Sequence, residues 1–345
     1  MKLSHQALVE LNDDQVQAFY ETATIDKWQG HRLLAVDGSV TQLPISDKLL
    51  GHFGKARPHA VMPHVRLSQL YDVKNNITLD LQVESHSTGE REMALKHLNK
   101  TQTGDLVVYD RGYPAVWFYK YHRLKNVDFC MRIVKSSNVV KAFLESWKYS
   151  EIVDFPCTEK SLRRCRKDKI STESLCLRLV RVDLPSGEPE VLVSSLTDLK
   201  AYPTSLFANL YHQRWRVEED YKVLKSRLNI ENYSSISVEG ILQDLHAKLL
   251  TKNLAASAIH DAKRKVKKPK NKRLYEYIIN FTFPINQLKD NVVRFTMKLA
   301  ALELYELLIS KISKNLSVIR PDRKFFRQDR RNKTNNYPMN YKRMC

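Results

Sequence analysis

Residues 106–109, Leu-Val-Val-Tyr, form an unbroken apolar run that stops on Asp110 and continues as Arg-Gly-Tyr113. Residues 105–109 read as a strand whose near-continuous apolar run suits cover on both faces, as in the middle of an open α/β sheet. Such a strand presents Asp110 at its carboxyl end, the edge where open α/β sheets hold ligands. The plainer reading makes Asp110 a cap for the turn before a helix that begins near Pro114.

The chain supplies neighbours for such a strand. Residues 33–36, Leu-Leu-Ala-Val, read as a second buried strand ending on Asp37-Gly38, and residues 40–43 could continue it. Asp-Gly between apolar runs is also a strong hairpin signal, so Asp37 serves equally well as a turn residue on local pattern alone. Residues 51–63 are rich in Gly, His and Pro and read as a loop. Strands follow over 65–73 and 77–83, joined by Lys74-Asn75-Asn76, and then a helix over 89–100 with Met93, Leu95 and Leu98 inward. A helix over 114–124 and a strand over 127–134 complete the series.

A second feature is the stretch Tyr211-His-Gln-Arg-Trp-Arg-Val-Glu-Glu-Asp-Tyr-Lys-Val-Leu-Lys225. At about 100° per residue, Tyr211, Arg214, Glu218 and Lys225 fall on one face of a helix, with Leu206, Leu210, Val217, Leu224 and Leu228 on another. A carboxylate between two cations and a phenol suits a place where a metal meets phosphate: Glu218 takes the hard cation, and Arg214 and Lys225 neutralise phosphate oxygens. On periodicity alone, a solvated helix with Glu/Lys pairs explains the same residues.

The spacing Tyr211, Arg214, Glu218, Lys225 resembles the Y-R-E-K signature of the DDE transposases of bacterial insertion sequences, the IS-four family. The segments Leu33-Leu-Ala-Val-Asp37-Gly-Ser39 and Leu106-Val-Val-Tyr-Asp110-Arg-Gly-Tyr113 stand where that family carries its first two catalytic aspartates. The resemblance implies an α/β, ribonuclease-H-like catalytic core with a β-strand insertion and a helical C-terminal region. The order strand, strand pair, helix, strand, helix, strand is similar to that fold. It also implies that Asp37, Asp110 and Glu218 are catalytic and bind two Mg²⁺ ions, with Mn²⁺ as a substitute, while Tyr211, Arg214 and Lys225 bind DNA phosphate. Relatives that pass through a hairpin place a tryptophan near the position of Pro189-Glu190-Val191, and this chain has none there.

Charge points the same way. Among 345 residues, 57 Lys and Arg face 38 Asp and Glu, a net charge of +19, which favours a polyanionic partner. No apolar run approaches the ~18 residues of a spanning helix, so DNA or RNA is a simpler partner than a membrane, and the resemblance implies double-stranded DNA, as element ends and target. The five cysteines, at 130, 157, 165, 176 and 345, include no Cys-x-x-Cys pair and indicate neither a disulfide scaffold nor a zinc site.

The expected organisation is as follows. Residues 1–30 are a helical remnant of an N-terminal DNA-binding region, because only 36 residues precede Asp37 where the resembled family carries a longer one. Residues 31–148 and 200–262 form the core, and 149–199 the β insertion, with a basic loop over 160–169 as a DNA-backbone contact. Residues 263–319 hold a basic linker, with eight cations over 263–273, and C-terminal helices over 284–315. Residues 320–345 form a basic tail. The expected function is metal-dependent DNA cleavage and strand transfer of an insertion sequence in the bacterial cytoplasm at the nucleoid, by a homodimer on DNA. The alternative is a shortened, inactive or inhibitory DNA-binding derivative.

Overall fold

The computed structural model describes residues 4–57, 59–184, 187–266, 275–296 and 301–319. The tail at 320–345 and most of the basic linker therefore lie outside the described residues.

Along the chain, α1 (His5–Thr22) precedes β1 (Leu33–Gln42), α2 (Asp47–Phe53), β2 (His64–Asp72), β3 (Ile77–Ser85) and α3 (Glu90–His97). Then come β4 (Leu106–Tyr109), α4 (Val116–Leu124), β5 (Asp128–Ile133), α5 (Asn138–Glu145), β6 (Ser150–Phe155), α6 (Glu159–Lys167), β7 (Leu175–Asp183) and β8 (Pro189–Ser194). The remainder is α7 (Ser205–His212), α8 (Trp215–Ser226), α9 (Val238–Lys265), β9 (Glu276–Ile279), α10 (Thr282–Thr296), α11 (Ala301–Lys314) and β10 (Leu316–Ile319). The chain divides into two compact units, one of residues 25–41 and 65–221 and the other of residues 1–24, 42–64 and 222–345.

The first unit is mixed α/β around an eight-stranded sheet in the order β3-β2-β1-β4-β5-β8-β7-β6. Leu33 to Val36 and all four residues of β4 are fully or almost fully buried, as the unbroken apolar runs require. Burying each such side chain contributes roughly 1.5–3 kcal/mol. β4 runs parallel to both β1 and β5, whereas β2 and β3 form an antiparallel hairpin. Its turn is held by Asp72, whose Oδ1 accepts from the Lys74 and Asn75 N–H groups, each at 3.0 Å, and by Asn76 at φ +61°. The strands of the expected insertion continue the same sheet, β8 pairing antiparallel with β5 and β7 with β8.

Three local readings need correction. Asp37-Gly38 is no hairpin turn but lies inside β1, a ten-residue strand set between β2 and β4 in the sheet. Residues 160–169 are mainly the helix α6, capped by Thr158 accepting from the Ser161 N–H. Within α6, Arg164 is bound to Glu92 at 2.7 and 3.0 Å, pairs with Asp168 and lies 4.9 Å over the Trp117 ring. Its charge is therefore committed inside the fold. The helix expected over 211–225 breaks at Gln213 and Arg214, separating α7 from α8.

Two buried polar contacts frame the central strands. Just before β1 and β4, Arg32 donates to both oxygens of Asp105, at 2.9 and 2.6 Å, with the two side chains 7% and 1% exposed. Removing one partner strands a buried charge, so Asp105→Ala is expected to lower unfolding free energy by about 3–5 kcal/mol in denaturant titrations. Exchanging both residues for apolar ones of similar size is expected to regain most of that loss. On α4, His122 is fully buried, with Nδ1 donating to the Val127 carbonyl at 3.2 Å and Nε2 accepting from the Tyr109 hydroxyl at 3.0 Å.

Burial pushes the His122 imidazole down to about 3, whereas the unfolded residue takes up a proton near pH 6.5. The stability this group contributes is whole above about pH 6.5. It is lost as pH falls toward 3, by up to about 1.4 kcal/mol per pH unit. Urea unfolding between pH 6.5 and 4 is expected to show a shallower pH slope for His122→Asn.

The second unit is helical. In it α1 packs along α9, with Asn253 donating to Asn12 at 2.8 Å and Gln15 to Ser257 at 2.6 Å. The far end of α9 joins α11 and β9 in an apolar cluster of Ala258, Ile259, Ala262, Ile279, Leu308, Ile309 and Ile312. The expected helices over 284–315 are α10 and α11, and β9 pairs antiparallel with β10. Among the described residues no helix is long and apolar enough to cross a membrane.

Candidate active site

The parallel register of β1 and β4 pairs Leu33, Leu34 and Ala35 with Leu106, Val107 and Val108. Two places further on, that register sets Asp37 alongside Asp110. Asp37 thus lies midway along β1 and Asp110 just past the end of β4, each partly exposed after a run of fully buried residues. Asp110 is turned by its own loop, its Oδ1 accepting from the Gly112 N–H at 2.7 Å.

Helix α8 brings the third acid. It is fixed to the sheet by three side chains. Arg216 donates to the Val73 carbonyl at 2.9 Å. Buried Asp220 accepts from Gln69 at 2.5 Å, and Gln69 also reaches Thr78 at 2.7 Å. Tyr221 donates its hydroxyl to the backbone carbonyl of Asp37 at 3.1 Å. Of the run Glu218-Glu219-Asp220, Asp220 is consumed in this anchoring, and Glu218 is the acid that interacts electrostatically with Asp37.

Arg214, at the break between α7 and α8, binds Glu218 through Nη2 at 2.8 Å. Its guanidinium lies 5.8 Å from the Tyr211 ring centre and 5.6 Å from that of Trp215. The break therefore does not separate the signature: Tyr211, Arg214 and Glu218 form one cluster with Asp37. The Nε of Arg214 is buried and has no hydrogen-bond partner. Lys225 lies on α8 two turns past Glu218, in the part of the helix that belongs to the helical unit.

Electrostatics mark Asp37 as the focus. Burial above all, with Glu218 and Asp110 adding repulsion, pushes its carboxyl up to about 6, against the opposing pull of Arg214 and the Gly38 N–H. A carboxylate raised by burial beside two others gains from a cation. Tyr211 is buried as well, and burial pushes its phenol up to about 12, so at neutral pH it keeps its proton and can donate.

Three residues that the sequence did not single out stand at the same place. Glu90 opens α3, and its carboxylate lies between the two glycines that follow the aspartates. A Cβ on Gly38 would sit 3.4 Å from Glu90 Oε1, and one on Gly112 would sit 3.7 Å from Oε2 and 3.1 Å from Asp110 Oδ1. A side chain at Gly112 would crowd Asp110, whereas one at Gly38 would meet Glu90 at ordinary contact distance. Glu90 is half exposed and pairs with Arg66 at 3.3 Å. Tyr113 is buried with an unpartnered hydroxyl, and its phenol is raised by burial and by Glu90, Asp37 and Asp110.

Tyr221 is the third. Its signal was available, since it falls three residues after Glu218 on the same helical spacing. The signal for Glu90 is topological: β3 runs the same way as β1 and β4, so the helix after it starts at their carboxyl edge. Among the described residues, no three His, Cys, Asp or Glu side chains already stand close enough together to enclose a metal ion.

Residues 28–254, well over half of the chain, match the family described as Transposase DDE domain. The chain is 20% identical over 297 residues to the transposase for insertion sequence element IS231E of Bacillus thuringiensis subsp. finitimus, covering 71% of this chain. It spans about 60% of the length of that relative. Among solved structures it is similar to piggyBac transposase in a synaptic complex with hairpin DNA, at TM-score 0.44 and 11% identity over 87% of this chain and 60% of that one. A likeness to Mos1 transposase in a paired-end complex with the left transposon end has TM-score 0.17 and 10% identity over 43% and 42%. With Asp37, Asp110 and Glu218 all inside the matched span, the chain belongs to the family of transposases with a DDE domain.

Proposed function

We propose that this protein is a transposase of an insertion sequence that cleaves DNA at the element's ends and joins them to a target, using divalent cations. The observation that carries the reading is Asp37: a carboxyl pushed up to about 6 by burial, beside Asp110 and facing Glu218. A ribonuclease-H-like core is the fold reading that goes with it, supported by the order β3-β2-β1-β4-β5 with β1, β4 and β5 parallel. The Y-R-E-K spacing supports placement in the IS-four group.

In this reading Asp37, Asp110 and Glu218 are the catalytic carboxylates and hold Mg²⁺. The donor set suits that ion, which takes hard oxygens from one or two carboxylates, keeps waters and completes its shell with substrate phosphate. When bound, such ions supply charge stabilisation for an in-line displacement at phosphorus. The chain's own residues do the positioning. Burial holds the Asp37 carboxyl up at about 6, so it is ionised at neutral pH. Arg214 keeps Glu218 oriented and places a positive charge beside Asp37, while Tyr211 offers a protonated hydroxyl. Lys225 adds a point charge along α8. Double-stranded DNA, a homodimer on that DNA, and a bacterial cytoplasmic setting at the nucleoid belong to the same proposal, consistent with a net charge of +19.

The test is incubation of the purified protein with DNA carrying the element's ends, with and without Mg²⁺. Cut ends and joined products that depend on Mg²⁺ are expected. Cleavage that proceeds equally in a chelator would overturn the metal-dependent reading.

A further inference from the structure

We propose that Glu90 is a fourth carboxylate of the cation site, forming with Asp37 and Asp110 the place where one divalent cation binds. This rests on the reading of Asp37 and Asp110 as cation ligands. It goes beyond that reading because neither the Y-R-E-K spacing nor the aspartate segments include Glu90.

Three observations carry it. A single point, where a Cβ on Gly112 would stand, lies 3.1 Å from Asp110 Oδ1 and 3.7 Å from Glu90 Oε2. The other oxygen of the same carboxylate lies 3.4 Å from the corresponding point on Gly38, the residue after Asp37. One carboxylate thus reaches toward both aspartate-bearing segments. Next, Tyr113 is 1% exposed, its hydroxyl has no hydrogen-bond partner, and it interacts electrostatically with Glu90, Asp37 and Asp110 together. An orphaned buried hydroxyl among three carboxylates fits a place meant for something polar, since buried polar groups are normally satisfied. A cation-bound water donating to the phenol oxygen would satisfy it.

Finally, Glu218 already has a partner in Arg214 at 2.8 Å, with Arg214 8% exposed. Among the described residues Glu90 is held by the longer 3.3 Å contact with Arg66, on the exposed side of the site. It is therefore the acid with the smaller rearrangement to make. Two carboxylates from parallel strands and one from the helix after β3 are a hard-oxygen set of the kind Mg²⁺ and Mn²⁺ take.

The experiment is Mn²⁺ binding to the full chain without DNA, followed by loss of the free-ion electron paramagnetic resonance signal, for wild type, Glu90→Gln, Asp37→Asn and Glu218→Gln. The change at Glu90 is isosteric and half exposed, and an unchanged near-ultraviolet circular dichroism spectrum checks the fold. Glu90→Gln is expected to weaken Mn²⁺ binding about tenfold or more, and Glu218→Gln to weaken it less. Wild-type affinity in Glu90→Gln alongside loss in Asp37→Asn overturns the role of Glu90 alone. A wild-type chain that binds no Mn²⁺, or an Asp37→Asn variant that binds as wild type does, overturns the underlying reading as well. Should Glu90→Gln alter the spectrum, the same titration on Glu90→Ala decides. Weakened Mn²⁺ binding with an unchanged spectrum there upholds the site at Glu90, and wild-type affinity rejects it.

Discussion

Replacing Asp37 with Asn is expected to abolish strand cleavage and, in the same protein, to raise stability at neutral pH. The first effect follows from loss of the carboxylate proposed to bind a cation beside Asp110. The second follows from the sign of the shift. Asp37 has its carboxyl pushed up to about 6, by burial first and then by Glu218 and Asp110, whereas the unfolded residue ionises near 3.9. The folded state therefore binds more protons than the unfolded state between those values, and stability falls as pH rises through that window. At pH 7 the accumulated loss is roughly 2–3 kcal/mol. Asparagine fills the same space without the charge and is expected to recover it.

Urea unfolding of wild type and Asp37→Asn at pH 7 and pH 4.5, beside cleavage of an end-bearing DNA, makes the comparison. The stability gap between the two proteins should be wide at pH 7 and narrow at pH 4.5. A variant that is less stable than wild type at pH 7 would mean that the Asp37 carboxylate is a satisfied structural group, and a variant that still cuts would remove it from the site.

The second large effect belongs to Arg214. Its loss removes the partner of Glu218 and the main charge opposing the rise of the Asp37 carboxyl. Arg214→Ala is expected to slow cleavage about 10²-fold or more, the scale of losing one fixed donor at a reacting phosphate. The acid limb of its pH–rate profile should move to higher pH. Arg214→Lys keeps the charge but not the planar fork that reaches Glu218 while stacking near Tyr211 and Trp215. Its rate should lie between the other two. Single-turnover cleavage of a pre-bound DNA end, with Mg²⁺ titrated for each protein, separates chemistry from cation binding. Equal rates for wild type and both variants would leave Arg214 as an exposed-type pair contributing about 0–1 kcal/mol and no more.

Much of the sheet was legible in the sequence because its signals are local. The unbroken run at 106–109 reads as a two-sided strand without reference to anything else, and β4 is buried on both faces between β1 and β5. The alternation of strands and helices through β5 follows from periodicity, and Asp110 at a strand's end follows with it. The spacing of Tyr211, Arg214 and Glu218 was legible as well, although the helix expected to carry all three is broken at Gln213 and Arg214.

Tertiary structure decided what depends on partners far away in the chain. Asp-Gly at 37–38 satisfies either a turn or a strand, and pairing along β1 selects the strand. The cations at 160–169 look free in sequence, yet Arg164 is bound to Glu92, some seventy residues earlier. Asp220 and Glu218 are equivalent by composition, and the buried amide of Gln69 takes one of them. Glu90 became visible only when β3, running with β1 and β4, delivered α3 beside Gly38 and Gly112. The physical reason is common to all four: propensity and periodicity act over a few residues, whereas burial, pairing and charge compensation are settled between segments that only the folded chain brings together.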